Sequence, residues 1–146
     1  MDIKDVLEFA NANPVCFIAT VDGARPKVRG FLLWFADETG FYFHTGSMKR
    51  IYSQIINNPE TEVCFFSPKY PGSGKMLRVS GKAEFLNDVS MKEKLVEQRP
   101  FLKAIQTSAP DKSSDPLVLF RIPHGEAHFW TMEINTRENE AEVVTF

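Results

Sequence analysis

The chain predicts a mainly β protein, antiparallel, with a few helices at its periphery. Three observations carry this. Apolar runs of strand length recur along the chain, separated by turn signals. The first three runs are joined by short turns and form a meander, the simplest antiparallel arrangement. Neither a P-loop nor a Rossmann glycine pattern is present. About six strands are expected, and a small closed or partly open barrel satisfies the edges of such a sheet best. A chain of 146 residues suits one domain, 1–146, with a core of its own.

The elements follow in order. Asp2 to about Asn13 reads as a short amphipathic helix, with Ile3, Val6, Leu7 and Ala10 on one face and Asp2 as cap. Val15–Val21 is a buried type of strand, and Asp22-Gly23 is a strong turn signal. Lys27–Ala36 is the second strand. In it Val28, Gly30, Leu32 and Trp34 alternate with Arg29, Phe31, Leu33 and Phe35. Asp37-Glu38-Thr39-Gly40 turns the chain into a third strand, Phe41–Thr45, which completes a meander. A helix then leads to Pro59, with Met48, Ile51, Tyr52 and Ile55 on one face and Thr45 or Ser47 as its cap. Thr61–Ser67 is a strand, 68–75 a Pro/Gly loop, and Met76–Leu86 a strand with a bend at Gly81. Asp88–Gln98 is helical, and Phe101–Gln106 is a second short helix. Ser108–Pro116 is a polar loop. Leu117–Ile122 and Glu126–Met132 are the last strands around a Pro123-His124-Gly125 turn, and Glu142–Phe146 holds one more extended segment.

Composition narrows the function. A net charge of −2 and a pI near 5.9 argue against a dedicated nucleic-acid binder. The chain starts without a basic-then-apolar leader and has no run long enough to cross a bilayer, so a cytoplasmic location is expected and no membrane partner. Cys16 and Cys64 lie in apolar runs and are expected to be buried and inert. No CxxC pair or zinc spacing occurs, and the three histidines are scattered, so no metal site is expected. Thirteen Phe residues point to an aromatic core, an aromatic-lined pocket or a subunit interface.

The most informative segment is Thr45-Gly46-Ser47-Met48-Lys49-Arg50. A helix start carries partial positive charge, so Lys49 and Arg50 in its first turn are locally unfavourable. A bound anion reverses that sign, and amides, a hydroxyl and two cations together form a phosphate seat. A solvated basic turn is the plain alternative. Arg29 shares a strand face with Phe31, Leu33 and Phe35, where a guanidinium needs a partner, a ligand or the sheet edge. His44 ends the third strand and reads either as a half-buried histidine or as part of the same site. Trp130 serves equally as core or as a stacking surface for a flat ligand or a partner subunit. Arg78 reads as a solvent-facing strand residue, and His124 and His128 as surface or structural groups.

An ordered set of segments resembles the pyridoxamine 5'-phosphate oxidase-like family, the FMN-binding split barrels. The segments are Phe17-Ile18-Ala19-Thr20-Val21-Asp22-Gly23-Ala24-Arg25-Pro26-Lys27-Val28-Arg29-Gly30-Phe31, Phe41-Tyr42-Phe43-His44-Thr45, Lys49-Arg50 with the helix ending Asn58-Pro59, Glu62-Val63-Cys64-Phe65-Phe66, and Val79-Ser80-Gly81-Lys82-Ala83-Glu84-Phe85. The resemblance covers most of the chain and implies an antiparallel split β-barrel working as a homodimer, with FMN in the clefts between the chains. It implies that Arg29 contacts the flavin or its phosphate arm, that His44 and Thr45 run beside the ribityl-phosphate region, and that Ser47, Lys49 and Arg50 bind the phosphate. Trp130 is then a candidate contact from the second chain.

The implied activity is flavin-dependent oxidation or reduction of a small molecule, with electrons from NAD(P)H or another reductant. Pyridoxamine phosphate oxidases proper are longer and carry a C-terminal Arg-containing segment that Asn135-Thr136-Arg137-Glu138-Asn139 does not match. The resemblance therefore points to the family's small members of unassigned substrate. The alternatives are a non-catalytic flavin binder or sensor, a haem- or deazaflavin-binding relative, and a dimeric scaffold without ligand.

Overall fold

The computed structural model describes residues 1–109 and 114–146; the loop expected over Ser108–Pro116 lies in part outside the described residues. The chain opens with α1 (Ile3–Ala12), whose Asp2 cap accepts from the amides of Lys4 and Asp5, while Asp5 returns a bond to the Asp2 amide. There follow β1 (Val15–Asp22), β2 (Arg25–Leu32), β3 (Phe35–Asp37), β4 (Gly40–Gly46), α2 (Arg50–Asn57), β5 (Glu60–Ser67), β6 (Lys75–Lys82), β7 (Glu84–Leu86) and α3 (Val89–Gln98). A 3₁₀ turn, Pro100–Leu102, leads into α4 (Lys103–Gln106), and β8 (Leu117–Ile122), β9 (Gly125–Thr131) and β10 (Val144–Thr145) complete the fold.

The strands form two antiparallel sheets, one in the order β10-β9-β6-β5-β1-β2 and one in the order β3-β4-β8-β7. Ten strands replace the expected six or so, chiefly because two long segments each divide at a corner. Lys27–Ala36 breaks between Leu33 and Trp34. The Leu33 amide donates to Pro14 O beside β1 (2.9 Å), and the next amide, that of Trp34, donates to Tyr42 O of β4 (2.9 Å). Hydrogen bonding passes from one sheet to the other between consecutive residues. Met76–Leu86 divides likewise: the Ala83 amide bonds Pro59 O (2.8 Å) and Glu84 already pairs with Arg121 of β8. The bend expected at Gly81 marks this second corner. A Cβ there would strike the His124 carbonyl, and Gly81 pairs with Gly125, so two bare backbones pass where side chains would not fit. At the β1–β2 turn Asp22 pairs with Arg25 around Gly23-Ala24, and Gly23 takes a φ of 61°, the left-handed region that glycine enters without penalty.

The two sheets enclose a core in which Phe41, Phe43, Phe65 and Phe120 are fully buried, with Phe43 stacked on Phe120 at 5.2 Å between centroids. Each such ring contributes about 1.5–3 kcal/mol by leaving water. Val6 and Ala10 of α1 and Ile51 and Ile55 of α2 pack into the same core, and α2 touches both β1 and β4, one strand from each sheet. It occupies the split of the barrel. A second cluster, Leu95, Val96, Leu102, Leu117 and Leu119, seats α3 and the following turn.

Alternation assigns the faces of the six-stranded sheet. Cys16, Ile18 and Thr20 point in, as do Arg29 and Phe31 across the ladder; Val15 and Phe17 point out. Cys64 pairs with Phe17 and Arg78 and so also lies on the outer face, half-buried, which corrects the expectation that both cysteines are buried. Burial pushes the Cys16 thiol up to about 12, and burial also raises that of Cys64, so neither favours the reactive thiolate.

A candidate anion site at the start of α2

The site begins where β4 leaves its sheet. Thr45 is 2% exposed, and among the described residues its Oγ1 is a buried side-chain oxygen without a hydrogen-bond partner. An orphaned buried hydroxyl costs about 1–3 kcal/mol, so such atoms normally find a partner. Beyond it the Ser47 amide donates to Pro116 O (2.8 Å) and the Lys49 amide to Gly46 O (3.0 Å), closing a tight turn.

α2 then starts at Arg50 with Lys49 as its N-cap, no side-chain cap bond and no acidic residue in the first turn. This corrects the expectation that Thr45 or Ser47 caps the helix. Thr45 is still in the ladder, opposite Val118, and Ser47 lies two residues before the cap. Lys49 and Arg50 are both exposed, and Lys49 stands just before the first turn rather than in it. The start of α2 thus combines uncapped amides, two cations and an unpartnered hydroxyl nearby. Its dipole and side chains carry one sign, a combination that a dianion relieves.

Arg29 is anchored beside this helix. Its Nη1 donates to Thr20 Oγ1 (2.8 Å), Ile18 O (3.2 Å) and Lys27 O (3.3 Å), and its Nη2 to Gln54 Oε1 (2.5 Å). Thr20 Oγ1 in turn donates to Gln54 Oε1 (2.6 Å). Gln54 is buried on α2, one turn beyond Arg50, so the network ties β1, β2 and α2 together. Every acceptor is neutral. Burial draws the Arg29 pKa below its ordinary value, and among the described residues no carboxylate offsets it.

His44, half-buried on β4, meets Arg99 at the C-terminal end of α3: Nη1 lies 2.7 Å from His44 Nε2, and Nη2 donates to Leu33 O (3.1 Å). Burial first, then the charges of Arg99 and Lys49, push His44 down to about 4, so the ring is neutral at physiological pH. The influence of Lys49 on His44 connects this pair to the basic turn.

Sequence reasoning missed three members of this region. Gln54 had a signal, a polar residue three positions from Ile51 on the buried helix face; Thr20 had one in the inward alternation of β1. Arg99 had none, since a cation at a helix end is ordinary. Trp130 stands apart within one chain. It lies on β9 and pairs with Met76 of β6, on the outer face of the sheet, while Arg29 is on the inner face of β2 four strands away. That outer face is apolar over a broad area, with Val15, Phe17, Val28, Leu32 and Phe66 all exposed.

Two antiparallel sheets with a helix in the split, and a cation-rich helix start between them, define a split-barrel protein. The chain belongs to the pyridoxamine 5'-phosphate oxidase family, whose model matches residues 3–130. A Caenorhabditis elegans protein named "Putative pyridoxamine 5'-phosphate oxidase" is 31% identical over 107 residues, 73% of this chain and 46% of that protein. The chain thus spans about half the length of that curated relative. Among solved structures, a NimC/NimA family protein from Clostridium acetobutylicum superposes with a TM-score of 0.74 at 25% identity, covering 98% of this chain and 92% of its own. An FAD-binding protein from Mesorhizobium loti gives 0.65 at 20% identity, covering 88% and 94%. Among the described residues, no helix is long and apolar enough to cross a membrane.

Proposed function

We propose that this chain is a homodimeric flavoprotein that binds FMN and uses it to oxidise or reduce a small molecule. The observation that carries the reading is the start of α2: two cations, no cap, and, shortly before them along the chain, the buried Thr45 Oγ1 without a partner among the described residues. These residues fit the phosphate end of FMN. Ser47, Lys49 and Arg50 would hold the phosphate, Thr45 would gain its missing partner, and Arg29, pre-set by Thr20 and Gln54, would add an uncompensated charge. His44 would contribute an uncharged ring. The split-barrel fold accommodates flavin nucleotides, as the Mesorhizobium loti neighbour's name indicates.

Bound FMN would supply the electron transfer, while the protein supplies orientation, charge and exclusion of water. A small-molecule substrate and NAD(P)H as electron donor complete the proposal. Haem is less well served, because the His44 Nε2 that an iron would need is occupied by Arg99.

The outer face of the six-stranded sheet supports the dimer. Phe17 is 51% exposed and Val28 69%, on neighbouring strands, and a second copy covering that face would remove the patch from water. The partner's copy of Trp130 would then be a stacking surface for the flavin. Two free thiols suit a reducing compartment, in keeping with the cytoplasm.

The test is a titration of the purified protein with FMN, followed by visible absorbance and flavin fluorescence, with molar mass measured by light scattering. Saturable binding at one FMN per chain in a dimer is expected. Absence of binding up to millimolar FMN defeats the reading, and a monomer that binds at full affinity defeats the shared cleft. Anaerobic reduction of the bound flavin by NADH or NADPH then tests the redox role.

A further inference from the structure

We propose that Arg99 is a positioning residue that locks His44 into one neutral tautomer, with its only ring proton on Nδ1. A guanidinium has five N–H donors and no acceptor, and it does not deprotonate in proteins. Arg99 Nη1 lies 2.7 Å from His44 Nε2, so the nitrogen must accept, and it can accept only without a proton. A neutral imidazole then carries its proton on Nδ1, and the imidazolium would lose this bond and face a cation.

Arg99 itself is held from a second side. Its Nη2 donates to Leu33 O (3.1 Å), at the corner where the chain crosses between sheets, and α3 delivers it from a segment packed by Leu95 and Leu102. The ring's opposite partner in the ladder is Leu119, which brings no charge. The charged groups that bear on the ring are Arg99 and Lys49, both positive. His44 therefore presents an N–H, not a charge, to whatever occupies its neighbourhood, and does so across the physiological pH range. The positive charge there comes from Arg99 and Lys49.

This inference concerns the ligand-free protein and holds whether or not FMN binds. Its test is long-range proton–nitrogen NMR of histidine-labelled protein without added flavin, titrated from pH 8 to pH 4. The His44 signals are assigned by their loss in His44→Gln. A neutral ring with the proton on Nδ1, unprotonated until the pH approaches 4, is expected for the wild type. In Arg99→Met, the ring should take up a proton nearer the ordinary histidine value and populate the Nε2–H tautomer. An Nε2–H tautomer or an imidazolium at neutral pH in the wild type overturns the proposal. So does an Arg99→Met protein with unchanged tautomer and midpoint. Should Arg99→Met fail to fold, the wild-type tautomer decides alone.

Discussion

Arg29 and Arg78 lie on opposite faces of one sheet and in opposite electrostatic settings. Arg78 points outward and bonds two carboxylates, Glu62 and Glu138 (3.4 Å for the latter), and the Glu62 bond foremost raises its pKa. Arg29 points inward and bonds only neutral oxygens, and burial lowers its pKa. The difference separates two uses of one residue type. The charge of Arg78 is spent within the chain, fastening the C-terminal segment at Glu138 to the sheet. Arg29 has its geometry fixed but its charge unanswered, which is the condition a ligand-binding cation needs. Among the described residues Lys49 and Arg50 likewise have no ion-pair partner, and they lack the fixed geometry.

Substitutions put this contrast to the test. Lys49→Ala combined with Arg50→Ala should weaken FMN binding most, by on the order of 2–5 kcal/mol and hence well over tenfold. The free protein should be unharmed or slightly stabilised, because two cations leave a helix start. Fluorescence titration and thermal melting read the two signs separately. Next, Arg29→Met should cost about 1–3 kcal/mol of binding, and a similar amount of stability, because Thr20 and Gln54 lose their buried donor. An Arg29→Met protein that binds FMN as the wild type does would place the phosphate elsewhere.

Thr45→Val is more discriminating. It removes a buried oxygen that has no partner in the free chain, so the free protein should hold its stability or gain up to about 1 kcal/mol, while FMN binding falls by about tenfold. A loss of stability in the free protein would mean that the hydroxyl is already satisfied there. Smallest of all, Arg78→Met should change FMN affinity by no more than about twofold and stability by less than about 1 kcal/mol, since its ion pairs are partly exposed. A larger loss of FMN affinity would erase the distinction between the two arginines.

Much of the architecture was legible because strand periodicity and turn chemistry are local. Asp22-Gly23 foretold the first turn and Gly81 a corner, whereas Val15–Val21, read as a buried type of strand, is buried on one face only, with Cys16, Ile18 and Thr20 inside and Val15 and Phe17 exposed. The division of Lys27–Ala36 at Leu33-Trp34 was not legible, since nothing in an unbroken apolar run says which sheet each amide will bond. Of the site, the basic turn was visible from charge placed against a helix dipole. The capping expectation failed because the strand continues through Thr45, displacing the helix start by several residues.

The order of residues alone determined that this is a mainly β chain with two cations at a helix start, because backbone periodicity and local charge act over a few residues. Only the tertiary structure decided that Gln54 orients Arg29, that Arg99 reaches His44 from 55 positions away, and that Trp130 lies on the opposite side of the sheet. Those relations depend on how the sheets fold against each other and on which side chains burial leaves to pair, and no window of sequence contains both partners.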